Sequence, residues 1–165
     1  MNNDASFTIR KATADDLPSV LALYENARAF MSAHGNPDQW GTAYPPAGTV
    51  REDIENGRLY VCTKRCETAA VFCFFCGIDE TYRAVEGGAW LSDAPYGVVH
   101  RIASGVRGAA SFCLDWAFGQ AHNIRIDTHA DNIPMQSLLG KLGFAYCGTI
   151  RLADGSPRMA FQKEE

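Results

Sequence analysis

The chain has 165 residues, 47% hydrophobic and 21% charged, with a formal net charge of −4. That is the size and composition of one ordinary globular domain, and it excludes wholesale disorder. The basic excess by which a nucleic-acid binder neutralises phosphates is absent, since 19 acidic residues face 15 basic ones and Arg10-Lys11 and Lys64-Arg65 are isolated pairs.

In chain order, residues 1–6 are polar and carry Asp4, which does not make a secretory signal. No later stretch approaches the ~20 consecutive apolar residues of a membrane span, so a cytoplasmic protein with no membrane partner is expected. Residues 7–12 alternate apolar and polar side chains, the pattern of a half-buried strand. Thr13 followed by Asp16 resembles a capping box, with Asp in place of the usual Glu or Gln. Leu17, Val20, Leu21, Tyr24, Ala27 and Met31 then recur at helical spacing and predict an amphipathic helix that ends at His34-Gly35-Asn36-Pro37. Residues 36–48 form a loop rich in Trp, Tyr and Pro. Thr49 with Glu52 gives a second capping-box pair, opening a short helix to about Gly57.

Strands are expected over 59–63 and 69–78, joined by a tight polar turn, and 79–96 reads as a second irregular stretch. The Cys73-Phe74-Phe75-Cys76 spacing lies inside a continuous apolar run, as in a buried strand. A redox pair needs an exposed, electropositive setting, and a zinc site needs a second ligand pair; neither accompanies these residues, so packing is the expected role and no metal is expected. Cys62 and Cys66 flank a strand end and read as structural. Six cysteines are too sparse for a disulfide scaffold and are expected as thiols.

The second half begins with a strand over 97–103. Gly105-Val106-Arg107-Gly108-Ala109-Ala110 then opens a helix to about Gln120, and a strand follows over 123–128. Asp131 or Asn132 caps a helix that Gly143 closes after Leu142. Strands over 145–151 and 158–161, with Asp154-Gly155 as a hairpin turn, complete the sheet. The order βααββ followed by βαβαββ predicts a single α/β domain over 1–165 with a mixed sheet.

The glycine turn places backbone N–H groups at a helix N-terminus, where the helix dipole favours an anion. Small residues at Gly108 and Ala110 let a pyrophosphate approach those donors, and Arg107 adds charge at the rim. A plain strand-to-helix turn with close packing accounts for the same residues. A P-loop is excluded because no Lys-Ser/Thr follows, and a dinucleotide fingerprint fails in spacing and position.

With its neighbours, this turn resembles the first signature of the GNAT acyl-CoA N-acyltransferases, Gln/Arg-x-x-Gly-x-Gly/Ala, matching at Gly108 and Ala110 while Gly105 stands where Gln or Arg is usual. The second signature, an Asn followed by a helix ending Lys-x-Gly-Phe, is similar to the stretch from Asn132 to Lys141-Leu142-Gly143-Phe144. The resemblance covers essentially the whole chain. It implies a mostly antiparallel sheet whose fourth and fifth strands splay, flanked by about four helices, with acetyl-CoA as co-substrate. It further implies that Ile102 and Ala103 bond pantetheine, and that Gly105, Arg107, Gly108, Ala109 and Ala110 hold the phosphates. Asn132 would lie beside the thioester and Lys141 near CoA, although Asn132 also reads as a helix cap and Lys141 as solvated surface.

An amine attacking a thioester must lose a proton, and the departing thiolate must gain one. The family often supplies that proton from a Tyr, at a position that is Leu139 in this chain. His100-Arg101-Ile102-Ala103 resembles the His-x-Leu-Ala strand of arylalkylamine N-acetyltransferases, which makes His100 the first base candidate, since a free imidazole, with a pKa of about 6.5, suits that task. A sheet histidine satisfied by a neighbour is the alternative. His129, which caps a turn on the other reading, and Tyr146, a replacement acid, are further catalytic candidates. Trp40, Tyr44, Trp90 and Tyr96 are candidates to line an acceptor pocket, with Asp38, Glu86 or Asp93 holding a cation; loop-anchoring aromatics are the plainer account.

The expected function is transfer of an acetyl group from acetyl-CoA to a primary amine of a small molecule or peptide. A non-catalytic acyl-CoA-binding module is the alternative, and a thiol-redox or metal protein a third. A homodimer is compatible with exposed element edges.

Overall fold

The computed structural model, which describes residues 6–165, runs β1 (Thr8–Lys11), α1 (Leu17–Ala33), α2 (Ala47–Glu55), β2 (Leu59–Lys64), β3 (Glu67–Cys76), β4 (Gly97–Ser104), α3 (Ala109–Ala121), β5 (Asn123–Thr128), α4 (Ile133–Lys141), β6 (Ala145–Arg151) and β7 (Pro157–Glu164). The expected order of elements holds throughout. Single 3-10 turns precede α1 at Ala14–Asp16 and interrupt the second irregular stretch at Glu80–Tyr82. The polar N-terminal residues 1–5 lie outside the described residues.

The two capping signals fare differently. Asp16 Oδ2 accepts the Thr13 N–H at 2.7 Å, and Arg10 grips the same carboxylate with two nitrogens, at 2.7 and 2.8 Å. The Arg10 hydrogen bond, aided by that of Thr13 and opposed by burial, holds the Asp16 carboxyl at about 2. Thr49 does not cap α2. The extended backbone of Pro46 already opens the helix at Ala47, which leaves Thr49 and Glu52 inside it.

All seven strands join one sheet in the order β1-β2-β3-β4-β5-β7-β6. Its one parallel pair, β4 with β5, is joined only at Gly97↔Ile124 and Val98↔Arg125. Beyond those positions both strands continue but part, while β5 stays paired to β7 as far as Thr128↔Met159. β4 also bulges. Cys73 pairs with His100 and Val71 with Ala103, so Phe72 alone faces both Arg101 and Ile102. Arg101 takes a left-handed φ of 51° at the bulge.

Side-chain alternation along the central strands builds a core on each face. Ala70, Phe72 and Phe74 of β3 pack with Val99, Ile124 and Ile126 against Leu114 and Ala117 of α3 and Leu139 of α4. Val71 turns the other way and meets Val20 and Tyr24 of α1, Val50 of α2, and Leu59, Val61 and Ala103. Two-sided burial is the reason β3 reads as a continuous apolar run. A third cluster joins Val98, Ile150 and Ala160 to Tyr82.

Gly97 sits where β4 and β5 still touch. A Cβ there would lie 2.8 Å from Phe74 Cε2, 2.9 Å from Ile124 Cδ1 and 3.0 Å from Ala121 Cβ. Gly97→Val is expected to overpack this junction and lower stability by about 1–3 kcal/mol, read by denaturant unfolding.

Candidate functional site

A cavity of about 720 Å³ opens where β4 and β5 part. His100 and Ile102 of β4, Asp127 and Thr128 of β5, the α1–α2 loop, the start of α4 and the start of β7 all reach it. Alternation gives it two sides. Val99 and Ile126 belong to the α3/α4 core, while the residues that follow them, His100 and Asp127, turn to the opposite face.

On the α3 side, Gly108 occupies the N-cap of α3 with φ 86°, a conformation that glycine adopts without cost. The turn is fixed by the Gly105 N–H donating to the Ala69 carbonyl at 2.9 Å and the Ala109 N–H donating to Val106 at 3.1 Å. The helix start then presents its first free N–H groups outward. Ala109 is fully buried against the sheet, so it serves packing, while Gly105 and Arg107 are exposed at the rim. Ile102 lines the cavity, whereas the Ala103 side chain is buried in the α1/α2 core. Thr128 is 1% exposed and lines the cavity, and its Oγ1 has no hydrogen-bond partner among the described residues. A buried hydroxyl left in that state is costly, and a polar group entering the cavity would relieve it.

Asn132 caps α4 and also lines the cavity. Its Oδ1 caps α4 by accepting from the Met135 N–H at 3.1 Å, and its Nδ2 donates to Gln39 Oε1 at 2.9 Å across the cavity. Lys141 lies exposed in the last turn of α4, outside the cavity lining.

His100 stands between two carboxylates. Its Nε2 lies 2.6 Å from Asp79 Oδ2, and its Nδ1 lies 3.9 Å from Asp127 Oδ1. Burial alone would raise the Asp79 carboxyl, but hydrogen bonds from His100 and Thr81 outweigh it and hold it at about 2, against an ordinary 3.8. An ionised Asp79 only accepts, so it keeps a proton on Nε2, and in the neutral ring Nδ1 is then the atom that carries the lone pair. Asp127 Oδ1 accepts from the Tyr82 hydroxyl at 2.5 Å. Burial, reinforced by the Asp127 charge, keeps that phenol protonated well above its usual range.

The aromatic candidates divide. Trp40 and Tyr44 line the cavity, as does Asp38. Trp90 and Tyr96 do not: they hold the Arg125 guanidinium between them, 4.2 and 4.0 Å from their ring centroids. Their polar ends brace the His100 partners, since Trp90 Nε1 donates to the Tyr82 carbonyl at 2.7 Å and Tyr96 Oη accepts the Asp79 N–H at 3.1 Å. Glu86 is paired with Arg151, and the Asp93 side chain is fully exposed beside Arg125.

The other catalytic candidates are also separated. His129 reaches the cavity, but its Nδ1 accepts the Asp131 N–H at 3.0 Å, so the turn-capping reading holds and the proton falls on Nε2. Tyr146 is 56% exposed on the edge strand β6, against Phe161, outside the cavity. It is displaced because β7 intervenes between β5 and β6. Leu139, at the family's usual acid position, is fully buried.

Several site residues carry no signal in the sequence. Arg101 donates to Asp53 from two nitrogens at 2.8 and 2.9 Å and to Tyr44 Oη at 3.2 Å, and its carbonyl accepts the Tyr24 hydroxyl at 2.8 Å. Gln39 and Arg158 meet the cavity from the α1–α2 loop and β7. A polar residue alternating with buried ones is the only trace left by Asp127 and Arg158. Cys73 and Cys76, three apart on a strand, point to opposite faces, and burial pushes the Cys73 thiol up to about 11. Among the described residues no group of three or more His, Cys, Asp or Glu side chains is placed to hold a metal ion.

The depressed Asp79 carboxyl has a consequence for acid stability. Stability from a carboxylate held below its ordinary value is present above about pH 4 and is lost as pH falls towards 2. Asp79→Asn should therefore flatten part of the acid limb of a stability–pH profile measured by chemical denaturation, leaving the share due to Asp16.

No protein-family profile and no curated protein matches the chain. Solved structures do. A GNAT-family acetyltransferase from Streptococcus agalactiae is 33% identical, with a TM-score of 0.88 over 96% of this chain and 95% of that one. A GNAT-family acetyltransferase from Listeria monocytogenes is 17% identical, with a TM-score of 0.71 over 99% and 97%. A Salmonella typhimurium protein solved with acetyl-CoA as its cofactor is 13% identical, with a TM-score of 0.64 over 96% and 93%; the last two likenesses concern the fold. The identity to the streptococcal protein extends over nearly the whole of both chains, and with it the parted strands and the glycine turn find their place: this chain belongs to the GNAT family of acetyltransferases.

Proposed function

We propose that the protein transfers an acetyl group from acetyl-CoA to a primary amine. The observation that carries this reading is the Asp79–His100 pair set at the parting of β4 and β5, with Nδ1 turned toward Asp127 in the cavity. The free edge of β4 beyond Val98 offers main-chain donors and acceptors to an extended pantetheine. The N-terminus of α3, opened by Gly108, suits the pyrophosphate, with Arg107 at its rim. Thr128 Oγ1 and Asn132 sit where the thioester end would come.

The 3.9 Å between His100 Nδ1 and Asp127 Oδ1 is too long for a hydrogen bond but short enough for one ammonium to reach both. Asp127 then holds the cation while Nδ1 takes a proton from it. The freed amine attacks the thioester carbonyl, the N–C bond forms and the C–S bond breaks. A second nitrogen proton ends on the CoA sulfur, giving an amide and a thiol. Asp79 steadies the imidazolium, as an orienting carboxylate does beside a catalytic histidine. His129, whose Nε2 carries a proton, is a hydrogen-bond donor in this scheme.

Two measurements test the proposal. Calorimetric titration with acetyl-CoA should give binding that Gly108→Glu abolishes, because a carboxylate there occupies the phosphate site. CoA release against an amine panel should fall about 10²- to 10⁴-fold in His100→Ala with acetyl-CoA affinity kept. Binding without release from any amine would favour a non-catalytic acyl-CoA module, a reading to which the buried Leu139 lends support. No binding at all would overturn both.

A further inference from the structure

The acceptor side of the cavity carries a cation that none of the steps above uses. Arg158, near the start of β7, is 9% exposed and lines the cavity. Its guanidinium has five N–H donors. The described partners of those donors are two main-chain carbonyls, Pro157 O at 2.9 Å and Gln39 O at 3.3 Å. The other cavity arginine, the half-buried Arg101, is neutralised by Asp53. Arg158 has no carboxylate within ion-pair distance among the described residues. Asp154 senses its charge, but that carboxylate is exposed and its Oδ1 accepts from the Ser156 N–H and hydroxyl. A buried arginine without a carboxylate is expensive unless an anion completes it, and its planar fork matches a carboxylate.

Register places this cation close to the amine site. Asp127 lies directly opposite Ala160, and Arg158 is two residues along β7 on the same face. Such diagonal neighbours stand about 7–8 Å apart, within reach of one small molecule held between two side chains. His100 follows on the other flank of Asp127. Across this face the order is therefore base, carboxylate, guanidinium.

The α1–α2 loop adds a size constraint. Gln39 meets Asn132 of α4 through its side chain and Arg158 of β7 through its carbonyl, so the loop crosses from one wall of the cavity to the other. A long acceptor chain running through the groove would have to displace that crossing; a small molecule would not.

We infer that the acceptor is a small zwitterionic amine of the amino-acid type, with its carboxylate bound by Arg158 and its ammonium held between Asp127 and His100. The inference rests on the acetyl-transfer reading above and narrows it to one chemical class. The test is CoA release from acetyl-CoA by the full chain against three matched sets: common L-amino acids, their α-amides, and the amines left by removing the carboxylate. At least one amino acid should be acetylated, with its amide and decarboxylated counterpart poorer by roughly 10- to 100-fold in kcat/KM, the loss expected from one charge-assisted contact. Arg158→Ala should raise KM for that amino acid by a similar factor and leave the calorimetric affinity for acetyl-CoA unchanged, and Arg158→Lys should restore part of the loss. Equal use of acids and amides, or acetylation of carboxylate-free amines only, overturns the inference while leaving acetyl transfer intact. Acetyl-CoA binding with no turnover of any amine overturns both.

Discussion

The candidate site depends on where the β4–β5 ladder stops. Strand edges ordinarily exchange their N–H and C=O groups with a neighbour, and leaving them unpaired in a protein interior is costly. Here pairing ends after Val98↔Arg125 although both strands run on. The opening exposes main-chain groups of the kind that an extended ligand can bond, and it carries His100 and Asp127 on its opposite walls. β3 holds β4 from one side and β7 holds β5 from the other, so the opening is fixed by the sheet itself.

The bulge in β4 is the second device. By facing Phe72 with two residues, it turns Arg101 left-handed and directs its guanidinium to Asp53 of α2, while its carbonyl takes the Tyr24 hydroxyl of α1. A buried ion pair of this kind is weak evidence for stability, since desolvation opposes the Coulomb gain. Its structural effect is plainer: α1 and α2 are tied to the strand that bears the candidate base, and Tyr44 of the loop between them is tied to the same arginine.

Around that frame the charges are sorted by partner. Asp53 and Arg101 cancel, and Asp79 is held by hydrogen bonds from His100 and Thr81. Asp127 is only partly satisfied by Tyr82, and Arg158 only by main-chain carbonyls. The second irregular stretch does its work behind the site. Trp90 and Tyr96 pack on Arg125 and brace Tyr82 and Asp79, and Gln162, fully buried, fixes the stretch through the Leu91 N–H at 2.8 Å. Aromatic loops beside a cavity can thus be anchors of its charged groups without touching what enters it.

The sequence by itself determined the order of elements, the two-sided burial of β3, the start of α1 at Thr13 and Asp16, and the glycine turn ahead of α3, because each is a local matter of periodicity, capping or backbone freedom. His100 was marked by the resemblance of His100-Arg101-Ile102-Ala103 to the His-x-Leu-Ala strand of arylalkylamine N-acetyltransferases. Only the tertiary structure decided the rest. Asp79 lies 21 residues from His100, and Asp53 lies 48 from Arg101; no periodicity records such pairings. Tyr146 lost its candidacy because β7 inserts between β5 and β6, and Trp90 and Tyr96 lost theirs because Arg125 claims their faces. The Thr49–Glu52 pair was overruled by Pro46 a few residues earlier. Strand order, the end of a ladder and the partner of a buried charge depend on which distant segments meet, and contacts of that kind leave no spacing in the chain to be read.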